Sequence, residues 1–107
     1  MEQNTVEEGK TMAIISYITI IGLIIAFLMN NSKKNEFTQF HIRQSIGLAV
    51  LGLVNSFIIA KFIPILAGLV GLLTLVLVII GIVNAVKGED KPLPVIGAQF
   101  QEWFKGI

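Results

Sequence analysis

The residues best suited to chemistry in this chain are His41, Arg43 and Gln44, which stand together at the start of a long apolar run. His41 is the only histidine, and Glu36, five residues earlier, falls off its helical face. A histidine without an acid to orient it is a poor general base, and a zinc site needs further ligands. The group therefore predicts one of two roles. Arg43 binds lipid phosphate while His41 and Gln44 close the end of the helix bundle, or the group forms a site that binds a headgroup, a peptide or a partner's loop.

No other cluster in the sequence predicts an enzyme or a metal site. The chain has no cysteine, so it holds no thiolate nucleophile, no disulfide and no thiolate zinc site. The formal net charge of +1 leaves no basic footprint for nucleic acid. We therefore expect a protein that is not an enzyme, uses no cofactor or metal, and does not bind nucleic acid.

The elements that must position these residues are long apolar runs. Hydrophobic residues make up 54% of the 107 residues, and charged residues only 14%, against about 25% in an ordinary soluble domain. About 20 apolar residues cross a hydrocarbon core of roughly 30 Å. We predict an all-α membrane protein with three transmembrane helices, at about residues 11–31, 38–60 and 63–86. They belong to one membrane domain, residues 11–107, and residues 1–10 are expected to form a polar tail.

Local signals indicate where the predicted spans begin and end. Asn35 is suited to cap the second helix, with Glu36 in its positively polarised first turn. Lys61 and Pro64 indicate a tight turn at the far interface, with the proline in the first turn of the third helix. The alternative is one broken, re-entrant stretch around Lys61, which would leave a lysine in hydrocarbon at a high free-energy cost.

The C-terminal residues predict an amphipathic helix at about residues 95–106. Its apolar residues recur at spacings of three and four, at Ile96, Phe100, Trp103, Phe104 and Ile107. The segment is too short to span, so we expect it to lie in the headgroup layer with Trp103 as an anchor. The alternative is a helix docked on the protein's own loop.

Basic residues near the spans predict the orientation in the membrane. With three crossings, Lys10 and Lys61 lie on one side and the other six basic residues on the opposite side. We therefore expect a cytoplasmic C-terminus and an external N-terminus in a bacterial cytoplasmic membrane, with anionic headgroups as partners. The candidate contacts with lipid or with a partner are Lys33, Lys34, His41, Arg43, Gln44, Lys87, Lys91 and Trp103.

Small and polar residues line one face of each predicted helix and indicate close helix packing. The candidate packing residues are Gly22, Ala26, Gly52, Asn55, Gly71 and Gly81. The alternative is a polar path that includes Ser16, Thr19 and Gln44. Three short helices cannot enclose a pore alone, so such a path would need a homo-oligomer or another membrane protein.

Two segments carry a resemblance to a known family. The segment Phe40-His41-Ile42-Arg43-Gln44-Ser45, and the segment from Lys87 to Pro94 after the last span, are similar to small bacterial membrane proteins of unknown function. These proteins are related to the Tic-type import component of the chloroplast inner envelope. The resemblance covers about residues 17–107 and implies a component of a protein-conducting channel with partner subunits. The plastid relatives are usually described with four spans, whereas this sequence predicts three and an amphipathic segment.

The function expected from these features is that of a non-enzymatic integral membrane protein. It would act through helix packing and through contacts of a basic cytoplasmic face with lipid or a partner, as the resemblance to an import component implies. Two alternatives are a homo-oligomeric channel or small transporter, and a membrane-integrity factor that acts through lipid binding alone.

Overall fold

The computed structural model covers residues 1 to 107, and every regular element in it is helical, which confirms the predicted all-α class. A single π-helical turn, Asn55–Ile59, joins α3 to α4, so the helical backbone is continuous from Glu36 to Phe62. The helices are α1 Gln3–Ile18, α2 Ile20–Lys33, α3 Glu36–Val54, α4 Ala60–Phe62, α5 Pro64–Lys87 and α6 Gly97–Trp103.

Two of the helical segments are long and apolar enough to cross a membrane. They are Glu36–Phe62, with 27 residues, and Pro64–Lys87, with 24 residues. At 1.5 Å per residue they measure roughly 40 and 36 Å, more than the hydrocarbon thickness of about 30 Å. Pro64 occupies the start of α5, next to Lys61 in the last turn of α4. These two segments overlap the predicted spans 38–60 and 63–86, and they form a hairpin.

The prediction of a third transmembrane helix was wrong, because the chain turns back at Thr19. Thr19 has an extended backbone, with φ −147° and ψ 166°, and it separates α1 from α2. A Cβ atom on Gly22 would collide with the carbonyl oxygen of Ile15, so the two helices approach closely beside the turn. With 14 residues, α2 is only ~21 Å long and cannot cross by itself.

The register of α1 against α3 shows that α1 begins at the same end of the molecule as α3. The Asn35 side chain donates from Nδ2 to the carbonyl of Thr5 at 2.9 Å. Further along both helices, the hydroxyls of Ser16 and Ser45 lie 2.8 Å apart. The two helices therefore run side by side in the same direction, and α2 returns to the starting end.

The turn between α1 and α2 lies beside the middle of the longer helical segment. Thr19 lines a cavity of about 190 Å³ together with Leu48 and Ala49. Ala49 is the midpoint of Glu36–Phe62. Helices α1 and α2 therefore form a re-entrant hairpin that reaches about half the length of the spanning helices.

Residues 1–10 differ from the expected polar tail. They are helical from Gln3, and Val6 and Gly9 are buried. Val6 and Lys10 pack near Gly88, which follows α5. The N-terminus therefore lies at the same end of the molecule as the C-terminal segment, whereas the sequence predicted termini on opposite sides of the membrane.

The C-terminal helix packs on the protein itself. Helix α6 has seven residues, fewer than the predicted segment 95–106. The ring of Phe100 is buried against Gly47 of α3, whereas Trp103 is 62% exposed. The structure thus favours the docked alternative over a helix that lies free in the headgroup layer.

The packed core occupies only one half of the molecule, at the end that holds both termini. Its main cluster combines residues from α1, α3, α5 and the C-terminal segment: Val6, Ala13, Tyr17, Phe37, Leu48, Ala85, Leu93 and Phe100. In the other half, α3 and α5 continue alone. Phe57, Leu69 and Leu73 are examples of the large apolar side chains exposed there, as expected for a surface that faces lipid.

Candidate functional site

His41 lies at the centre of a buried hydrogen-bonded cluster. Its side chain is fully inaccessible to solvent. Nε2 lies 2.9 Å from the carbonyl oxygen of Glu89, and Nδ1 lies 2.6 Å from the hydroxyl of Tyr17. A carbonyl can only accept, so Nε2 carries the proton and Nδ1 accepts from the tyrosine. This arrangement holds a neutral imidazole with both nitrogens satisfied.

Aromatic rings enclose the same imidazole. Phe37 and Phe40 meet it edge-on, with ring centroids 4.7 and 5.2 Å away. No group of three histidine, cysteine or acidic side chains in the structure could hold a metal ion. The enclosure leaves His41 without access for a headgroup or a peptide, so its geometry fits the packing interpretation.

Gln44 joins α3 to the segment that follows α5. Its Oε1 accepts from the backbone N–H of Leu93 at 2.9 Å, and its Nε2 donates to the carbonyl of Gly97 at 2.8 Å. Both contacts are buried. Oε1 therefore satisfies the buried backbone N–H of Leu93, and Nε2 adds a contact with the start of α6.

Arg43 points to another side of α3 and holds the C-terminus. Its guanidinium donates to the carbonyl of Lys105 at 2.8 Å and to Oε1 of Gln101 at 3.4 Å. The amide of Gln101 in turn donates to the carbonyl of Phe40 at 2.7 Å. Arg43 therefore folds back onto α6 and its neighbours instead of reaching outward to lipid phosphate.

The three motif residues, His41, Arg43 and Gln44, thus act together as a junction between α3 and other parts of the fold. Sequence reasoning missed the partner of His41, which is Tyr17 in the segment assigned to a separate crossing. The available signal was that a buried tyrosine hydroxyl usually finds a hydrogen-bond partner. Tyr17 is the only tyrosine in the chain.

Most of the small residues named as packing candidates lie at close contacts. Gly81 faces the ring of Tyr17, where any Cβ atom would overlap it, and Ala26 is buried beside Leu23. Gly22 allows the close approach of α1 and α2 described above. Gly52 has no neighbouring atom within 4 Å of the Cβ position.

The two remaining packing candidates meet each other in the lipid-exposed half. The Asn55 amide donates to the carbonyl of Ala67 at 3.0 Å. The same amide nitrogen lies 3.5 Å from the Cβ position of Gly71. Asn55 therefore links the π-helical turn to α5, as a polar side chain in hydrocarbon is expected to do.

The polar residues expected to line a channel each have a hydrogen-bond partner within the protein. Ser16 contacts both Ser45 and the carbonyl of Ala13, and Thr19 caps α2 by accepting from the N–H of Gly22 at 2.9 Å. These side chains thus stabilise the re-entrant hairpin and its contact with α3.

The charged residues gather at the end that holds both termini. Every lysine and arginine except Lys61 lies there, and so do all seven acidic residues. We call this end the charged end. Lys91 pairs with Glu89 at 2.7 Å, and this contact lowers the pKa of Glu89 and raises that of Lys91. The expected basic face is therefore a face of mixed charge.

Three of the predicted contact residues keep free cationic groups on this end. Lys33, Lys34 and Lys87 take part in none of the ion pairs, which join Lys10 to Glu7, Lys91 to Glu89 and Lys105 to Glu102. Lys33 and Lys34 end α2 and line a depression together with the carboxylates of Glu2, Glu8 and Glu36.

The two spanning helices and the packed charged end define a small helical membrane protein, and comparison with known proteins gives its family. Residues 8–100 match the model of the magnetosome magnetite crystal formation protein family, MamF/MmsF, so the chain belongs to that family. It is similar to the UPF0132 membrane protein MJ1443 of Methanocaldococcus jannaschii, with 37% identity over 94 residues, 84% of this chain and 79% of the relative. No solved structure matches the chain.

These matches overturn the resemblance to a Tic-type import component. Neither the matching family model nor the archaeal relative is described as an import component. The resemblance depended mainly on His41, Arg43 and Gln44, which the structure uses to join segments of one small fold. A short polar motif of this kind does not distinguish one compact membrane fold from another.

Proposed function

We propose that this chain is a non-enzymatic integral membrane protein that presents a folded surface on one side of the membrane and acts through contacts of that surface with lipid headgroups. The observation that carries the proposal is the placement of every charged side chain except Lys61 at one end. The rest of the molecule is a lipid-facing hairpin with a short turn. Interactions with charged ligands are therefore concentrated on the charged end.

The distribution of basic residues favours a cytoplasmic charged end. The rule for orientation counts lysine and arginine near the spans, and acidic residues contribute little to it. Lys61 is the only basic residue at the other end. Both termini would then lie in the cytoplasm, and a bacterial cytoplasmic membrane remains the predicted location.

The side chains best placed for headgroups are Lys33 and Lys34. They end the apolar helix α2, whose outer face exposes Ile24 and Leu28 to lipid. Basic side chains at such a boundary attract anionic headgroups with about 1 kcal/mol each. Trp103, exposed at the same end, has the amphipathic ring that favours the headgroup level.

The comparisons support the membrane residence in this proposal. The archaeal relative is named a membrane protein, and the family is described as a magnetosome magnetite crystal formation family. We carry over the membrane residence alone.

The test is lipid binding by the purified full chain. Native mass spectrometry of the detergent-solubilised protein with phosphatidylglycerol should show bound lipid, and the double variant K33Q/K34Q should lose most of it. The matched control K61Q changes the one basic residue at the opposite end and should bind as the unmodified protein does. Equal binding by K33Q/K34Q and the unmodified protein would overturn the proposed contact.

A further inference from the structure

The two halves of the molecule have different cross-sections in the membrane. In the half at the charged end, α1 and α2 accompany α3 and α5, and α6 packs beside them. In the other half, the two spanning segments continue alone, from about Ala49 to Phe62 and from Pro64 to about Val78. One leaflet therefore accommodates four helices and the other accommodates two.

The difference in area is large for so small a protein. A helix with a diameter of about 10 Å occupies ~80 Å², so α1 and α2 together add about 160 Å² to one leaflet. The outer face of α2 contributes to this area directly, because Ile21 is 71% exposed and Leu28 is also exposed. These side chains displace lipid in that leaflet only, since α2 begins at the turn beside Ala49.

The re-entrant hairpin of α1 and α2 is fixed to the spanning helices rather than loosely inserted. The hydroxyl of Thr38 donates to the carbonyl of Gly9 at 3.0 Å, in addition to the contacts of Ser16 and Tyr17 with α3. Tyr17 also packs against Gly81 of α5. The asymmetry is therefore built into the packed core and would persist in the bilayer.

We propose that this protein selects curved bilayers, preferring membranes whose leaflet at the charged end is convex. A bilayer curved in that direction has more area in the convex leaflet, where the four-helix half fits. The proposal rests on the membrane placement given under the proposed function and does not require headgroup binding. With the charged end in the cytoplasm, the preferred membranes are buds or vesicles whose outer leaflet faces the cytoplasm.

The experiment uses the full chain in vesicles made only of phosphatidylcholine, so that attraction to anionic headgroups does not contribute. The sequence has no native cysteine, so K105C can carry one fluorophore at the charged end. A membrane-impermeant quencher then separates molecules with this end outside from those with it inside. Protein density is measured on single vesicles over a range of diameters.

The expected result is opposite sorting of the two orientations. Molecules with the charged end outside should be several-fold denser on the smallest vesicles than on the largest. Those with it inside should be depleted from the smallest vesicles. The same dependence for both orientations, or no dependence on diameter, would overturn the proposal, whereas the headgroup contact would still be decided by the K33Q/K34Q comparison.

A variant of the hairpin turn provides a second measurement. T19L/G22L removes the capping hydroxyl and blocks the close approach to Ile15, so α1 and α2 should join into one crossing helix and the sorting should disappear. The matched control G68L places leucine where no neighbour lies within 4 Å and should keep it. Circular dichroism verifies folding, and unchanged sorting by a folded variant with a crossing helix would contradict the proposal.

Discussion

The hydroxyl of Tyr17 and the Nδ1 atom of His41 lie 2.6 Å apart in the interior of the protein. The pair joins α1 to α3 close to the turn at Thr19. Because His41 also bonds to the carbonyl of Glu89, one imidazole connects the re-entrant hairpin, a spanning helix and the segment that follows α5. This contact is therefore one of those that hold the re-entrant hairpin in place.

Removal of the tyrosine hydroxyl should destabilise the protein. In Y17F the Nδ1 atom of His41 loses its donor while it stays buried, and an unsatisfied buried acceptor costs about 1–3 kcal/mol. Denaturant unfolding in detergent micelles measures the loss. The control T11V removes an exposed hydroxyl from the same helix and should change the free energy of unfolding little. Equal effects of the two variants would contradict the structural role of the contact.

Two glycine-to-alanine substitutions should have different effects on stability. In G81A the new methyl group overlaps the Tyr17 ring, and such overpacking costs about 1–3 kcal/mol. In G52A the methyl group has open space, so the variant should be neutral or gain up to about 1 kcal/mol from helix propensity. Thermal unfolding of both variants, followed by circular dichroism, provides the comparison. A G81A protein as stable as G52A would show that α1 and α5 do not meet at this position.

Loss of the Gln44 amide should release the C-terminal segment. In Q44L the buried N–H of Leu93 loses its partner and the contact with the carbonyl of Gly97 is removed, which favours local opening of residues 88–107. Hydrogen exchange at the Leu93 amide should become faster. The control Q39L removes an exposed contact with the carbonyl of Ile107. If the Leu93 amide exchanged as slowly in Q44L as in Q39L, the proposed role of Gln44 in holding the C-terminal segment would be refuted.

Single cysteines should place both termini on one side of the membrane. A thiol reagent that cannot cross the bilayer should label Q3C and K105C from the same side of oriented vesicles, and K61C from the opposite side. The absence of native cysteine makes each label specific. Labelling of Q3C from the side of K61C would establish three crossings and would remove the re-entrant hairpin.

The sequence predicted the two long helices because their signals are local. Continuous apolar runs define the spans Glu36–Phe62 and Pro64–Lys87. Asn35 caps α3 as expected, since its Oδ1 accepts from the N–H of Thr38 at 3.0 Å. These features follow from composition and from one or two residues at each helix end, so they do not require knowledge of tertiary contacts.

The re-entrant hairpin could not be predicted in the same way. Hydropathy averaged over residues 11–31 is the same whether the chain crosses the membrane or turns back at Thr19. A single extended residue makes the difference, and it is stabilised by contacts of Ser16 and Tyr17 with a helix more than twenty residues away. The role of His41 could not be predicted for the same reason, because its hydrogen-bond partners, Tyr17 and Glu89, are 24 and 48 residues away in the sequence.

The short turn between α4 and α5 has a consequence for how the protein can be reached. Only a few residues around Lys61 emerge on that side, so proteases, antibodies or soluble proteins in that compartment meet almost no surface. With two crossings, soluble binding partners are therefore expected to meet the protein from the opposite compartment.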